Sequence, residues 1–155
     1  MTSLCCDVLE RLRLKGLTLA TAESLTGGGI GSALTAIPGA SEVYKGGVVS
    51  YVNEVKEKLL SVSSETLEQY GAVSAQTAAA MALGVRELLK ADAAVSVTGL
   101  AGPSGDEFGH SVGTVFIGFA CDRISLIKEY HFDGDREDVR RQTIRAALTL
   151  IMANI

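Results

Sequence analysis

Three short segments of the sequence combine hydroxyl groups, charged side chains and glycines, which are the residue types that bind and cleave polar substrates. Glu23–Gly29 offers a carboxylate, a hydroxyl and free backbone N–H groups at a helix start, where an anion is favoured. Ser50–Lys56 adds a phenol and an ammonium group, with Asn53 and Lys56 one helical turn apart. Thr98–Gly105 supplies a hydroxyl and a glycine-rich loop that approaches a ligand closely. These are the candidate site segments.

Each of these segments follows a predicted strand. Short apolar runs predict strands over Leu17–Ala22, Tyr44–Tyr51 and Ala93–Thr98, the second interrupted by Gly46-Gly47. In open α/β sheets, ligands bind beyond the carboxyl ends of the strands. We therefore expect the three segments to lie together at one edge of a sheet.

The rest of the chain predicts helices between the strands and a hairpin after them. Predicted helices cover Asp7–Leu12 with Gly16 as the stop, a stretch ending near Ala36, a helix capped by Asn53, one capped by Ser64 and running to Tyr70, Ala75–Lys90 capped by Ser74, and a last helix from Asp135 nearly to Ile155. Val112–Ala120 and Ile124–Phe132 form an antiparallel hairpin. The order αβαβαααβββα predicts one α/β domain over residues 1–155: three α/β/α layers with a mixed, mostly parallel sheet.

Composition narrows the classes of function. The 155 residues include 47% hydrophobic ones, enough for a core without disulfides or a structural metal. A formal net charge of −4 argues against a nucleic-acid partner, because such proteins carry a basic excess. No apolar run reaches the length of a signal peptide or a membrane span, so we expect a cytoplasmic protein without a membrane partner.

The remaining reactive side chains do not form recognisable sites. Cys5, Cys6 and Cys121, with single histidines at His110 and His131, have no metal-ligand spacing, so we expect no metal and no cofactor. Ser125–Lys128 matches the S-x-x-K pattern of a catalytic pair. In a strand, however, positions i and i+3 point to opposite faces, which excludes that pairing.

Five motifs in order along nearly the whole chain resemble the C-terminal domain of the competence/damage-inducible protein CinA. They are Ala22–Gly28, Gly46–Tyr51 with Asn53, Lys56 and Leu59-Leu60, Gly71–Ser74, Thr98–Pro103 and Gly134–Arg136. The stand-alone form of that domain is known as nicotinamide-nucleotide amidohydrolase. The resemblance implies hydrolysis of the carboxamide of nicotinamide mononucleotide to nicotinate mononucleotide and ammonia, as a step of NAD salvage, without a metal.

The resemblance also assigns roles to residues. The family's serine nucleophile falls on Ser24, its tyrosine on Tyr51, its lysine on Lys56 and its strand-end threonine on Thr98. The expected substrate-binding residues are Glu23, Thr26, Gly27, Gly28, Asn53, Gly99, Gly102, Arg136 and Arg140. Two departures stand out: Leu25 replaces a frequent Cys, and Glu107–Ser111 occupies a loop where a Lys-Pro pair is expected.

The residues themselves support this chemistry. A neutral hydroxyl attacks an amide poorly, so Ser24 needs a base, and a desolvated Lys56 can have its pKa lowered enough to act as one. Tyr51 could relay a proton to the departing ammonia or hold Ser24 in place. The backbone N–H groups of Thr26–Gly28 or the Thr98 hydroxyl are candidate donors to an oxyanion. Arg136 or Arg140 could bind the substrate's phosphate, and which donors serve which anion stays open.

Two other interpretations remain. A non-catalytic nucleotide-binding or regulatory module would keep the phosphate site without hydrolysis. A competence factor acting on DNA finds little electrostatic support at this net charge. We also expect a homodimer or higher homo-oligomer, from the family resemblance and because the alanine-rich stretch Ala75–Lys90 offers a surface for close helix packing.

Overall fold

The chain forms helices and strands in the predicted order. The computed structural model describes residues 1–155, with helices α1 (Thr2–Lys15), α2 (Gly29–Thr35), α3 (Asn53–Leu60), α4 (Ser64–Tyr70), α5 (Ala75–Leu89) and α6 (Arg136–Asn154), and strands β1 (Leu19–Glu23), β2 (Tyr44–Val49), β3 (Ala93–Gly99), β4 (Thr114–Cys121) and β5 (Ser125–His131). A 3₁₀ turn at Ala40–Glu42, which the sequence pattern did not predict, precedes β2.

The five strands make one mixed sheet in the order β2-β1-β3-β4-β5. Strand β1 pairs in parallel with both β2 and β3, whereas β4 pairs antiparallel with β3 and with β5. Glu23, the last residue of β1, lies opposite Val49 on one side and Val97 on the other. The chain therefore leaves all three parallel strands at the same edge of the sheet, and the predicted α/β class is confirmed.

Helices cover both faces of the sheet because successive side chains of the buried strands point to opposite sides. On β1, Leu19 joins the core beneath α1, α2 and α6, while Ala20 and Ala22 join the core beneath α4 and α5. The result is the three-layer α/β/α arrangement. None of the helices has both the length and the apolarity that crossing a membrane requires.

The small residues of α5 allow close packing against other elements of the same chain. A Cβ at Gly84 would lie 1.9 Å from the carbonyl oxygen of Leu60, so only glycine lets α3 approach α5 this closely. A Cβ at Gly118 on β4 would lie 2.7 Å from the carbonyl oxygen of Ala78. The small residues at these contacts serve packing within the chain, and the expected homo-oligomer stays a prediction without their support.

The helix caps are partly as predicted. The hydroxyl of Ser74 accepts the N–H of Thr77 at the start of α5, which confirms the predicted cap. Asp135, where the last helix was predicted to begin, forms a reciprocal capping box at the start of α6. The predicted cap at Ser64 is wrong by one residue, because the Ser63 hydroxyl accepts the N–H of Thr66.

Two other boundaries also differ from prediction. Asn53 does not cap α3: Val52 occupies that position and no side chain accepts a bond there. Strand β1 begins at Leu19 rather than Leu17, because the N–H of Leu17 donates to Leu12 of α1 and the N–H of Thr18 donates to the Asp92 carboxylate. The first two residues of the apolar run therefore bond to the end of α1 and to the loop before β3.

Candidate active site

A cleft of about 440 Å³ opens at the edge where the three parallel strands end. The segments after β1, β2 and β3, the Ala72-Val73 turn before α5 and the start of α6 line it. Its polar and charged side chains are Ser24, Tyr51, Lys56, Thr98, Ser104 and Arg136. The topology thus brings the three candidate segments into one concave site.

Ser24 follows β1 directly and is fixed by its backbone. Its N–H donates to the carbonyl oxygen of Val97 at 3.1 Å, and the carbonyl of the preceding Glu23 accepts the N–H of Ser50 at 2.8 Å. The first residue beyond the strand is therefore still held by both neighbouring segments. Its side chain lines the cleft although the residue is only 8% exposed, so a reacting group would meet it away from bulk water.

The Lys56 amine lies against the Ser24 hydroxyl, with 3.2 Å between Nζ and Oγ. Lys56 is in the first turn of α3, and helical side chains lean toward the N-terminus of their helix. Its amine therefore returns to the strand ends, where it donates to the carbonyl oxygens of Ser50 at 2.7 Å and Tyr51 at 3.5 Å.

This lysine is buried without a counter-ion. It is 1% exposed, and no carboxylate lies within ion-pair distance of its amine. Burial lowers the pKa of Lys56 to about 8, because the charged form loses its hydration. A neutral Lys56 amine has two N–H donors for the carbonyls of Ser50 and Tyr51 and a lone pair for the hydroxyl of Ser24. The arrangement suits a base that takes the Ser24 proton.

Tyr51 and Arg136 meet at the mouth of the cleft. The Arg136 guanidinium donates from Nη2 to the Tyr51 phenol oxygen at 2.8 Å and from Nη1 to the carbonyl oxygen of Gly102 at 2.8 Å. Arg136 is the first residue of α6 and, like Lys56, has no carboxylate partner. The cleft therefore carries net positive charge in a chain whose formal charge is −4, which favours an anionic ligand.

Four of the expected substrate-binding residues do not line the cleft. The buried Glu23 carboxylate accepts the Thr26 hydroxyl at 2.6 Å and the N–H groups of Ile30 and Gly31 at 3.0 and 2.9 Å. The Glu23 carboxylate and the Thr26 hydroxyl therefore make their hydrogen bonds inside the fold. Gly27 and Gly28 also lie outside the cleft, where their positive φ angles of 59° and 94° turn the chain into α2.

Arg140 and Asn53 also lie outside the cleft, and Thr98 lines it with a hydroxyl that already donates a hydrogen bond. Arg140 donates from Nε to the carbonyl of Leu25 at 3.0 Å and from Nη2 to that of Thr26 at 3.2 Å. Asn53 is exposed and lines no part of the cleft. Thr98 lines it, but its hydroxyl donates to the carbonyl of Ala72 at 2.6 Å and so does not serve as an oxyanion donor in this arrangement. The expected Gly99 and Gly102 do line the cleft.

Some of the backbone N–H groups that follow Ser24 are hydrogen-bonded within the chain, and others are not. The N–H of Gly27 donates to the carbonyl of Ser24 at 3.0 Å, whereas the N–H groups of Leu25 and Thr26 donate to no protein acceptor. Leu25 lines the cleft, and the residue after a nucleophile commonly supplies an oxyanion donor. The predicted oxyanion donors include Thr26 and not Leu25, although the position of Leu25 directly after Ser24 is a usable indication.

The loop that departs from the family pattern stays out of the cleft. The Asp106 carboxylate accepts the N–H groups of Phe108 and His110 and pairs with the His110 ring at 2.8 Å. That ring packs edge-on against Phe116, 5.9 Å between centroids. No residue of Glu107–Ser111 lines the cleft.

No group of three or more His, Cys, Asp or Glu side chains in the chain is placed to hold a metal ion.

Comparison with known proteins gives one consistent result. A family model described as the CinA C-terminal domain matches residues 1–155. A CinA-like protein of Synechococcus is 58% identical over 115 residues, which are 74% of this chain and 27% of that protein. The chain spans about a third of the length of the curated relatives it matches.

Solved structures match over nearly their whole length. The crystal structure of the competence damage-inducible protein A of Klebsiella pneumoniae has a TM-score of 0.96 at 36% identity, covering 99% of this chain and 95% of that one. The competence/damage inducible protein CihA of Agrobacterium tumefaciens has a TM-score of 0.94 at 40% identity, covering 98% and 93%. Fold and sequence point to the same family.

Proposed function

The chain belongs to the CinA C-terminal domain family, and from that membership and the cleft geometry we propose that it hydrolyses the carboxamide of nicotinamide mononucleotide. The products are nicotinate mononucleotide and ammonia. The contact that carries the proposal is the 3.2 Å separation between Lys56 Nζ and Ser24 Oγ inside a cleft that bears positive charge. A buried amine beside a hydroxyl is the pairing that an activated serine nucleophile requires.

In the first step the Ser24 oxygen attacks the carboxamide carbon while its proton moves to the neutral Lys56 amine. The carbonyls of Ser50 and Tyr51 hold that amine through its two N–H groups, so its lone pair faces the hydroxyl. Because Lys56 needs no counter-ion to be neutral, the low dielectric of the site favours the reactive form. The serine and lysine supply nucleophile and base without a metal.

The tetrahedral intermediate carries its charge on the former carbonyl oxygen. Among the unpartnered N–H groups after Ser24, that of Leu25, which lines the cleft, and that of the adjacent Thr26 are the best candidates to stabilise that oxygen. The carbon–nitrogen bond then breaks, and the protonated Lys56 gives its proton to the leaving nitrogen, which departs as ammonia. This leaves the nicotinoyl group as an ester on Ser24.

Water completes the cycle by attacking this ester. Lys56 takes one proton from the water and returns one to Ser24 as the ester bond breaks, so the lysine and serine regain their starting states. The nicotinate product leaves with its phosphoribosyl group. At the mouth of the cleft, the Arg136 guanidinium offers a planar set of donors that suits the 5′-phosphate.

Product analysis tests the proposal directly. The chain is incubated with nicotinamide mononucleotide, and ammonia and nicotinate mononucleotide are measured together. We expect equal amounts of both, and the same rate after dialysis against EDTA. Binding without ammonia release would contradict the proposal and favour a non-catalytic nucleotide-binding module.

Sedimentation of the same sample tests the expected homodimer or larger assembly against a single 16.2 kDa species.

A further inference from the structure

We propose that Glu23 and Arg140 are positioning residues that hold the turn after Ser24 from opposite sides and thereby present its free N–H groups to the oxyanion. This inference rests on the proposed serine chemistry, although not on the identity of the substrate. It gives both residues a role different from the substrate contact that the sequence predicted for them.

The carboxylate of Glu23 holds the turn from inside the fold. Glu23 is 1% exposed and accepts one hydroxyl and two backbone N–H groups, from Thr26, Ile30 and Gly31. These bonds tie the residue before the nucleophile to the first turn of α2. A carboxylate that accepts all three donors cannot be replaced by an amide without turning one bond into a donor–donor contact.

The guanidinium of Arg140 holds the same turn from α6. Its Nε and Nη2 donate to two successive carbonyls, those of Leu25 and Thr26. Arg140 has no carboxylate partner and does not line the cleft. A Cβ at Gly27 would lie 3.6 Å from Nη2, so the guanidinium lies against the outside of the turn.

Some polar groups of the turn are hydrogen-bonded within the chain, and others have no partner there. Carbonyls of Leu25 and Thr26 accept from Arg140, and the N–H of Gly27 donates to the carbonyl of Ser24. The N–H groups of Leu25, Thr26 and Gly28 lack a protein partner, and of these residues Leu25 lines the cleft. The carbonyl of Leu25 and the N–H of Thr26 belong to one peptide unit, so a cation on that carbonyl strengthens that N–H as a donor.

Arg140 therefore acts on the reaction through a peptide group rather than through the substrate. Fixed donors stabilise an oxyanion because they need no reorganisation when the charge develops. Removing Arg140 leaves the N–H groups in place but frees the turn to move and takes away its polarising charge. The loss should appear in the chemical step and spare the affinity for the nucleotide.

The test uses a fluorophosphonate ester, which reacts with activated serines whatever their natural substrate. Ser24 Oγ attacks phosphorus, its proton passes to Lys56, and fluoride leaves. We expect Arg140→Ala to label Ser24 about 10-fold or more slowly than wild type, which is below the roughly 10²–10³-fold cost of deleting an oxyanion donor itself. Arg145→Ala is the matched control, since Arg145 is exposed on the same helix and makes no side-chain hydrogen bond or ion pair.

Rescue separates positioning from folding. Guanidinium ion at millimolar concentration should restore labelling of Arg140→Ala but not of Arg145→Ala, and Arg140→Lys should retain more activity than Arg140→Gln. Glu23→Gln should slow labelling as well, and guanidinium should not restore it. If Glu23→Gln fails to fold, the Arg140 series with its rescue still decides the matter.

Three results would overturn the inference. One is Arg140→Ala labelling at the wild-type rate, and another is slow labelling that guanidinium does not restore. The third is no labelling of wild-type Ser24, because the turn would then serve no nucleophile. If labelling behaves as expected while nicotinamide mononucleotide is not hydrolysed, the positioning role stands and the proposed substrate is wrong. A raised KM with unchanged labelling would return Arg140 to substrate binding.

Discussion

Arg136 donates a 2.8 Å hydrogen bond to the phenol of Tyr51 across the mouth of the cleft, and so joins the first residue of α6 to the segment after β2. The two side chains are 85 residues apart in the chain. The Tyr51 phenol is therefore engaged by an arginine, and no hydrogen bond joins it to Ser24. This arrangement makes Tyr51 an orienting partner of a cation that lines the cleft.

Arg136→Gln should weaken the reaction with nicotinamide mononucleotide far more than that with nicotinamide riboside, which lacks the phosphate. Losing a charge-assisted bond costs about 1.5–3 kcal/mol, roughly a 10–150-fold drop in kcat/KM for the phosphorylated substrate. Steady-state rates with both substrates measure this, with Arg145→Gln as the control. Equal losses for the two substrates would show that Arg136 does not bind the phosphate.

Tyr51→Phe should raise KM severalfold and change kcat by less than about 10-fold, because the variant loses only the bond that orients Arg136. Full kinetic curves for wild type and variant separate the two constants. A proton relay through Tyr51 predicts the opposite pattern. In that case kcat would fall by about 10²-fold or more at an unchanged KM, the usual size of a general acid–base contribution.

The rate should depend on the protonation of Lys56. Only the neutral amine accepts the Ser24 proton, and burial sets the pKa of Lys56 to about 8. We therefore expect kcat/KM to rise about tenfold per pH unit below pH 8 and to level off above it, since kcat/KM reports groups of the free enzyme. A rate that is flat between pH 6 and pH 8 would exclude Lys56 as the base.

The same burial predicts a pH-dependent difference in stability. The folded pKa of Lys56, about 8, lies below the value of 10.5 for the exposed group, so the unfolded chain binds more protons between these values and wild-type stability rises with pH. Relative to Lys56→Met, wild type should gain roughly 3 kcal/mol in unfolding free energy from pH 7 to pH 10.5. Denaturation of both proteins at the two pH values measures it, and a constant difference would contradict the burial of a charge at this position.

Much of the fold is predictable because its patterns are local. Buried strands appear as short apolar runs, and the caps at Ser74 and Asp135 follow from single side chains beside a helix start. The beginning of β1 was not predictable in this way. It is set by a bond from Thr18 to Asp92, a residue 74 positions away, and no local pattern contains such a contact.

The candidate site was also predictable only in part. Placing residues after strand ends was enough to find Ser24, Tyr51, Lys56 and Thr98, which all line one cleft. The direction of each polar group could not be read from the sequence. Glu23 and Arg140 have the residue types of ligand-binding groups, yet neither lines the cleft: Glu23 bonds to the backbone at the start of α2, and Arg140 bonds to the backbone of the turn after Ser24.

A double-mutant cycle of Ser24→Ala and Lys56→Ala tests the central claim most directly, with ammonia release from nicotinamide mononucleotide as the measurement. Residues that act as one unit are not additive, so each single variant and the double variant should fall to a similar floor, on the order of 10³-fold or more below wild type. Lys56→Arg should reach the same floor, because an arginine stays charged and accepts no proton. Ser24→Ala releasing ammonia at the wild-type rate, or Lys56→Arg keeping nearly full activity, would contradict a serine activated by a neutral lysine.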